Sequence, residues 1–172
     1  MKFAFTWGSN RPGVRQCTTM PAVSAGLLMF RRRAGVVEVL LVHPGGPFWQ
    51  KKDLGAWSIP KGEYSAGEDP LCAAKREFEE ETGFKPDGDF IALSDCRQSG
   101  GKIVKAWAVV GDLDATQIRS NSFSLEWPPK SGKMREFPEV DRAQWFAIAA
   151  AREKILKGQA ACLDQLAAKL PP

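Results

Sequence analysis

The stretch GEYSAGEDPLCAAKREFEEETGF, Gly62 to Phe84, carries the signals that decide the fold. Asp69 followed by Pro70 reads as a helix start. The Asp carboxylate can cap free N–H groups, and proline, which lacks an N–H, loses nothing at the first helical position. Gly83 reads as the stop, because the left-handed conformation that closes a helix suits glycine, with Phe84 folding back as its apolar partner. Between these ends Leu71, Ala74 and Phe78 recur at spacings of three and four, so one stripe of the helix faces a core.

The other face is costly. Glu77, Glu80 and Glu81 share it, and like charges three and four residues apart repel by a few tenths of a kcal/mol per pair. They also lie in the last turn, where the helix dipole disfavours an anion by roughly 0.3–1 kcal/mol. Stability alone favours Lys or Arg there. Three carboxylates on one face point instead to a divalent cation, since hard cations take oxygen ligands; a solvated acidic helix is the alternative. Arg76 is adjacent to Glu77 and four residues from Glu80, placed to orient a carboxylate without occupying the cation's position. Gly62 to Phe84 holds seven acids against Lys75 and Arg76, a net −5 in a chain of formal charge +4, so the remainder carries +9. An acidic island in a basic chain suits a cation held beside an anionic substrate.

With this spacing the segment resembles the Nudix box of the Nudix (MutT-like) hydrolases, G-x5-E-x7-R-E-U-x-E-E-x-G-U, where U is a bulky apolar residue. Gly62, Glu68, Arg76, Glu77, Phe78, Glu80, Glu81, Gly83 and Phe84 fill the pattern without a gap. The preceding Trp57-Ser58-Ile59-Pro60-Lys61-Gly62 is similar to the W-x-x-P-K-G form of diadenosine polyphosphate hydrolases and some NTP pyrophosphohydrolases. The resemblance implies an α/β (α+β) fold over residues 20–172: an α/β/α sandwich whose mixed central sheet carries the box helix and a C-terminal helix. It implies hydrolysis of a nucleoside diphosphate linked to another moiety, by water attack on phosphorus, with Mg²⁺ as cofactor and Mn²⁺ as substitute. Position by position, it makes Glu80 and Glu81 metal ligands and Glu77 a further ligand or the general base. Arg76 orients Glu77, Glu68 supports, and the turn at Gly62 lets the backbone carbonyl near Lys61 reach a metal. Family members often add an acid ahead of a Trp-bearing strand near the C-terminus. Glu139, in the run Pro138 to Phe146, fills that place as ligand or base. The base stays open among Glu77, Glu80 and Glu139.

Outward from the box, Ser24 to Arg31 and Val36 to His43 read as β-strands joined by a turn at Arg32–Gly35. Pro44 to Gly55, with Gly45, Gly46, Pro47 and Gly55, reads as a loop. Phe90 to Cys96 and Ile103 to Val110 read as two more strands, separated by Ser99-Gly100-Gly101; in the second, Val104, Ala106 and Ala108 share one face. Ser120 to Lys133, polar and containing Trp127-Pro128-Pro129, reads as a long functional loop. Ala147 to Leu170 has helical spacing with a break at Gly158. Strands interspersed with helices make a single sheet with helices packed on it the simplest architecture. Residues 1–19 show no periodicity and read as a disordered extension or a mis-assigned start, with Met20 as an alternative beginning.

The composition narrows the function. Hydrophobic residues make up 44% and charged residues 26% of 172, as in a soluble globular domain. No apolar run approaches the ~18 residues that span a bilayer, so a membrane protein is not expected. His43 is the one histidine, which removes His-pair mechanisms and His-rich zinc sites. Cys17, Cys72, Cys96 and Cys162 form no CxxC pair and read as reduced thiols in a cytoplasmic protein. The expected partner is a nucleotide or other diphosphate-containing small molecule, led by dinucleoside polyphosphates and nucleoside triphosphates. A non-catalytic nucleotide-binding module and an RNA 5′-end pyrophosphohydrolase are the alternatives, and nucleic acid is not the expected partner. Lys61 and Arg31 are the candidate substrate-binding residues, with a solvated hairpin turn as the other reading of Arg31-Arg32-Arg33. Phe48, Trp49 and Trp127 are loop aromatics able to stack on a base, and Lys130, Lys133 and Arg135 flank the long loop. No residue assigns base selectivity, and the oligomeric state stays open.

Overall fold

The computed structural model describes residues 23–98 and 101–171. The expectation for residues 1–19 and the turn at 99–100 lie outside them. Among the described residues there are nine strands and three α-helices: β1 Val23–Arg33, β2 Val36–Pro44, β3 Lys61–Glu63, α1 Pro70–Thr82, β4 Phe90–Ala92, β5 Cys96–Arg97, β6 Ile103–Val110, β7 Ser122–Glu126, β8 Met134–Pro138, β9 Val140–Ala147, α2 Ile148–Lys154 and α3 Ala160–Lys169.

The central sheet runs β4-β6-β1-β2-β9, with β3 added to β1 and β5 to β6. The β1–β6 pair is parallel and every other pair in the sheet antiparallel, so the sheet is mixed. Alternation along β1 sorts the two faces. Ala25, Leu27 and Met29 meet Ala73, Ala74 and Phe78 of α1. Leu28 and Phe30, with Val39, Leu41, Val104, Ala106 and Ala108, meet Ala151, Leu163 and Leu166 of α2 and α3. Helices on both faces make the α/β/α sandwich.

The helix ends are built as the sequence predicts. The Asp69 carboxylate accepts the Cys72 N–H, Pro70 opens the helix, and Gly83 closes it at φ 78° with its N–H donating to the Glu79 carbonyl. The β1–β2 turn is tighter than expected, reduced to Ala34 and Gly35, both at positive φ, the backbone that matches strand twist in a two-residue hairpin.

Three elements differ from the sequence reading. Phe90 to Cys96 is two short strands: pairing advances four residues from Ala92 to Cys96 while β6 retreats three, from Trp107 to Val104. The extra residue bulges and interrupts the ladder. Ser120 to Lys133 is loop only in part: it contains strand β7, which pairs with β8 just beyond it as an antiparallel hairpin, Ser122 opposite Pro138 and Glu126 opposite Met134. Its strands alternate too few apolar residues to announce themselves beside the prolines of the tip. Finally, Cys96 of β5 and Cys162 of α3 are paired as a disulfide inside the core, in place of the expected reduced thiols. They are 66 residues apart and meet only because α3 packs under the β5 edge.

The lead-in to α1 is also buried. Trp57 packs edge-on against His43 and Phe146 and gives its indole N–H to Asp53, while Gln159 accepts the Ile59 N–H. This anchors the segment that ends in β3, beneath α1.

Phe78 is fully buried between α1 and the sheet. Phe78→Ala is expected to cost about 3–5 kcal/mol through lost burial and a cavity, measured as a lower urea midpoint with an unchanged slope.

Candidate functional site

The last two turns of α1 lie over β3, and one side chain organises the acids there. The Arg76 guanidinium donates from Nε and Nη2 to both oxygens of Glu68 (3.0 and 3.2 Å), and from Nη1 to Glu77 (2.6 Å) and Glu80 (3.2 Å). Nη2 also reaches the Glu63 carbonyl at 3.4 Å. These bonds raise Arg76 further above its already high pKa and hold the Glu68 carboxyl below its ordinary value. Glu68, eight residues away across the loop, is thereby fastened to the helix.

Glu77 and Glu81 behave oppositely. Desolvation raises the Glu77 carboxyl, and the charges of Glu80 and Glu139 add to it while Arg76 opposes. Glu81, on the side of α1 facing β3, is pushed up to about 8 by desolvation and by Glu77 and Glu139, despite the Lys61 charge and the Lys61 N–H it accepts at 3.2 Å. Glycine at position 62 leaves room for the Glu77 carboxylate: a Cβ there would lie 1.9 Å from Glu77 Oε2 and would displace it. That close approach lets β3 run directly against the carboxylates.

Glu139 arrives from far along the chain. The segment before β7 lies along the C-terminal turn of α1, where the Arg119 and Asn121 N–H groups donate to the Thr82 and Glu80 carbonyls. Asn121 then accepts the Glu139 N–H (2.8 Å), and the Glu139 carbonyl accepts the Gly45 N–H (2.9 Å). Backbone bonds on both sides therefore hold Glu139 at the cluster. The role of Asn121 has no signal in the sequence, because it acts through its backbone.

Of the residues singled out, Lys61, Arg76, Glu77, Glu80, Glu81 and Glu139 are brought together. Arg31 is not. Ala25 of β1 pairs with Gly62, and Arg31 lies six residues further on, about 20 Å at a strand's rise. There it pairs with Glu38 and Asp112 and stacks on Trp145, its centre 4.1 Å from the ring, at a cleft of about 860 Å³ on the far end of the sheet. His43, given no chemistry by the sequence, is fully buried; its Nε2 donates to the Lys52 carbonyl and its Nδ1 lies 2.8 Å from Asp141.

Among the described residues no three acidic, His or Cys side chains converge tightly enough to enclose an ion as they stand, because Arg76 engages two of the four carboxylates. The donor set nevertheless fits a hard divalent cation. It is all oxygen, comes from a helix and a separate loop, and includes two carboxyls raised by burial and mutual charge, a cost that a cation relieves.

The family described as NUDIX domain matches residues 20–166. The chain belongs to this family. Its Nudix box is thus the α1 site just described. The chain is 44% identical over 62 residues to an RNA pyrophosphohydrolase of Francisella philomiragia subsp. philomiragia, covering 35% of this chain and 40% of that protein. A Rhodospirillum rubrum RNA pyrophosphohydrolase is 39% identical over 69 residues, 38% and 40% of the two chains. The matches span about 40% of the length of these curated relatives. Among solved structures, the Nudix fold is shared with a C. elegans Ap4A hydrolase binary complex, at TM-score 0.60 and 22% identity over 86% of this chain and 96% of that one. It is shared equally with the NUDIX domain of Shewanella oneidensis NrtR complexed with ADP ribose, at TM-score 0.62 and 16% identity over 92% and 94%.

The raised Glu81 carboxyl gives a pH signature. Its folded pKa of about 8 exceeds its unfolded value of 4.5, so the folded state binds the extra proton and stability falls as pH rises between those values. In EDTA the urea midpoint is expected to decline from pH 5 to pH 8, and Glu81→Gln to flatten that decline; an equally steep decline in the variant contradicts the assignment.

Proposed function

We propose that the protein is a metal-dependent pyrophosphohydrolase acting on a nucleoside diphosphate linked to another moiety. One observation carries this reading: the intact set Glu77, Glu80, Glu81 and Glu139, gathered from two separate segments and ordered by Arg76. A fold that only bound nucleotide would not need four carboxylates in one place at this electrostatic cost.

Glu77, Glu80, Glu81 and Glu139, with the Lys61 backbone carbonyl, would hold Mg²⁺ or Mn²⁺. The cation supplies screening of the anionic diphosphate and Lewis-acid activation of water. The protein's own groups do the rest. Arg76 keeps Glu77 and Glu80 on the same side of the helix, from which their oxygens would turn toward a cation. The Lys61 ammonium, close enough to Glu81 to lower it, offsets negative charge where the phosphates meet the carboxylates. Glu77, Glu80 or Glu139 accepts the proton of the attacking water, and the Glu77 carboxyl, raised by desolvation, is suited to that role. Water adds to phosphorus, the P–O anhydride bond breaks, and the two phosphate products depart.

Dinucleoside polyphosphates and nucleoside triphosphates lead as substrates. The names of the partial relatives favour triphosphorylated RNA 5′ ends as a second reading. A substrate panel with millimolar Mg²⁺ should show cleavage of one class, abolished by EDTA. Phosphate release from diadenosine polyphosphates, triphosphates, nucleotide sugars and 5′-triphosphorylated RNA is the measurement. Silence across the panel by a folded protein that binds nucleotide would assign a non-catalytic module.

Glu80→Gln is expected to lower kcat by at least ~10²-fold, the scale of a lost electrostatic stabiliser, with the circular dichroism spectrum unchanged. Glu139→Gln is expected to slow turnover as well, and unchanged kinetics would remove Glu139 from the site.

A further inference from the structure

Beside Glu139, between the β7–β8 hairpin and the loop after β2, lies a recess of about 330 Å³ whose lining includes Gln50, Trp127, Arg135, Phe137, Pro138 and Asp141. Such a volume stands at the small end of ligand pockets, room for about one ring system. Pro138 is both its wall and the neighbour of Glu139. At its base Gly45 crosses Pro138 so closely that a Cβ would meet the Pro138 carbonyl oxygen at 2.0 Å. The recess and the carboxylate cluster therefore share one strip of backbone.

The walls are aromatic and braced. Phe48 meets Trp127 edge-on, ring centres 5.3 Å apart at 83°, and Phe123 backs Phe137 at 6.1 Å. The polar rim is unspent. Arg135 and Gln50 make no side-chain hydrogen bond or ion pair among the described residues, while Asp141 accepts from the buried His43 ring at Oδ1 and keeps Oδ2. A guanidinium and a carboxylate line one recess with Trp127 and Phe137, so a flat ring held there would meet both a donor and an acceptor. Guanine carries the complementary edge: O6 and N7 accept from an Arg fork, and N1–H and N2–H₂ donate to a carboxylate. Adenine presents N6–H₂ where Arg135 needs an acceptor. Stacking alone accepts any base, so the rim must make the choice.

We infer that this recess is a guanine site, holding the base of a nucleotide whose diphosphate lies on the carboxylate cluster. The position of the diphosphate rests on the pyrophosphohydrolase reading; the base preference does not. The guanine belongs either to a free nucleotide or to the 5′ end of an RNA.

Calorimetric titration of the full chain in EDTA with GMP and with AMP separates the two claims. GMP is expected to bind roughly tenfold more tightly, the discrimination a good Arg–guanine pair provides. Arg135→Gln should bring GMP to the AMP level, and Trp127→Leu should weaken both, with dichroism reporting the fold. Equal binding of GMP and AMP, no binding of either at millimolar concentration, or a preference surviving in Arg135→Gln overturns the guanine site, even if metal-dependent hydrolysis is observed. A GMP preference without hydrolysis upholds the site and discards the pyrophosphohydrolase reading. The source follows from kcat/KM for GTP against ATP and for pppG-RNA against pppA-RNA: a preference confined to the RNA pair assigns an RNA 5′ end, and one among the free nucleotides assigns those.

Discussion

A single guanidinium makes the carboxylate face of α1 possible. Acids in the last turn of a helix oppose its dipole and one another, yet the helix places three of them there. Arg76 binds Glu68, Glu77 and Glu80 together, and five planar donors in a fixed fork serve three carboxylates where an ammonium would serve as a point charge. The same clamp draws the loop carrying Glu68 onto the helix, so charge compensation and loop placement are one event. Glu81 lies outside this clamp and faces β3, where the Lys61 N–H and charge offset only part of its burial. The leftover electrostatic cost is thus concentrated at a carboxyl that a bound cation would relieve.

The rest of the molecule holds a second wall against that helix. β1 is central because it pairs with β2, β3 and β6 at once, so the strand under α1 is held on both edges. β3 is only Lys61–Glu63, short enough to end at the cluster, and glycine at 62 lets it pass beneath Glu77. From the other side the 119–121 segment caps the carbonyls of Glu80 and Thr82 while passing Glu139 into position. The helix terminus, which would otherwise leave those carbonyls to solvent, becomes the seam joining the two halves of the site. The hairpin that springs from this seam carries Trp127, Arg135 and Phe137, which is why the recess lies beside the carboxylates.

Local signals were legible where one residue settles the geometry. Asp69, Pro70 and Gly83 announced the ends of α1, and the Leu71–Ala74–Phe78 stripe its buried face. Strands β1, β2 and β6 were legible from alternation and β-branched content. The hairpin of β7 and β8 was hidden because its strands carry mixed polarity and it is placed by contacts with the loop after β2 and by the 119–121 segment on α1. The split of β4 from β5 was hidden because a one-residue bulge is a property of the pair of strands. Arg31 was misplaced for a related reason: its position along β1, and the acids Glu38 and Asp112 that engage it, depend on register and on a distant loop.

The sequence by itself determined the helix, its caps, its acidic face and the residue types that answer a divalent cation, because all of these follow from spacings of one to eight residues. Only the tertiary structure decided that Glu139 joins the cluster, that Cys96 and Cys162 meet, that Arg31 does not reach the site, and that an aromatic recess adjoins it. Those facts depend on contacts between segments tens of residues apart. Such contacts are set by sheet order, register and backbone hydrogen bonds, which leave no periodic trace in the chain.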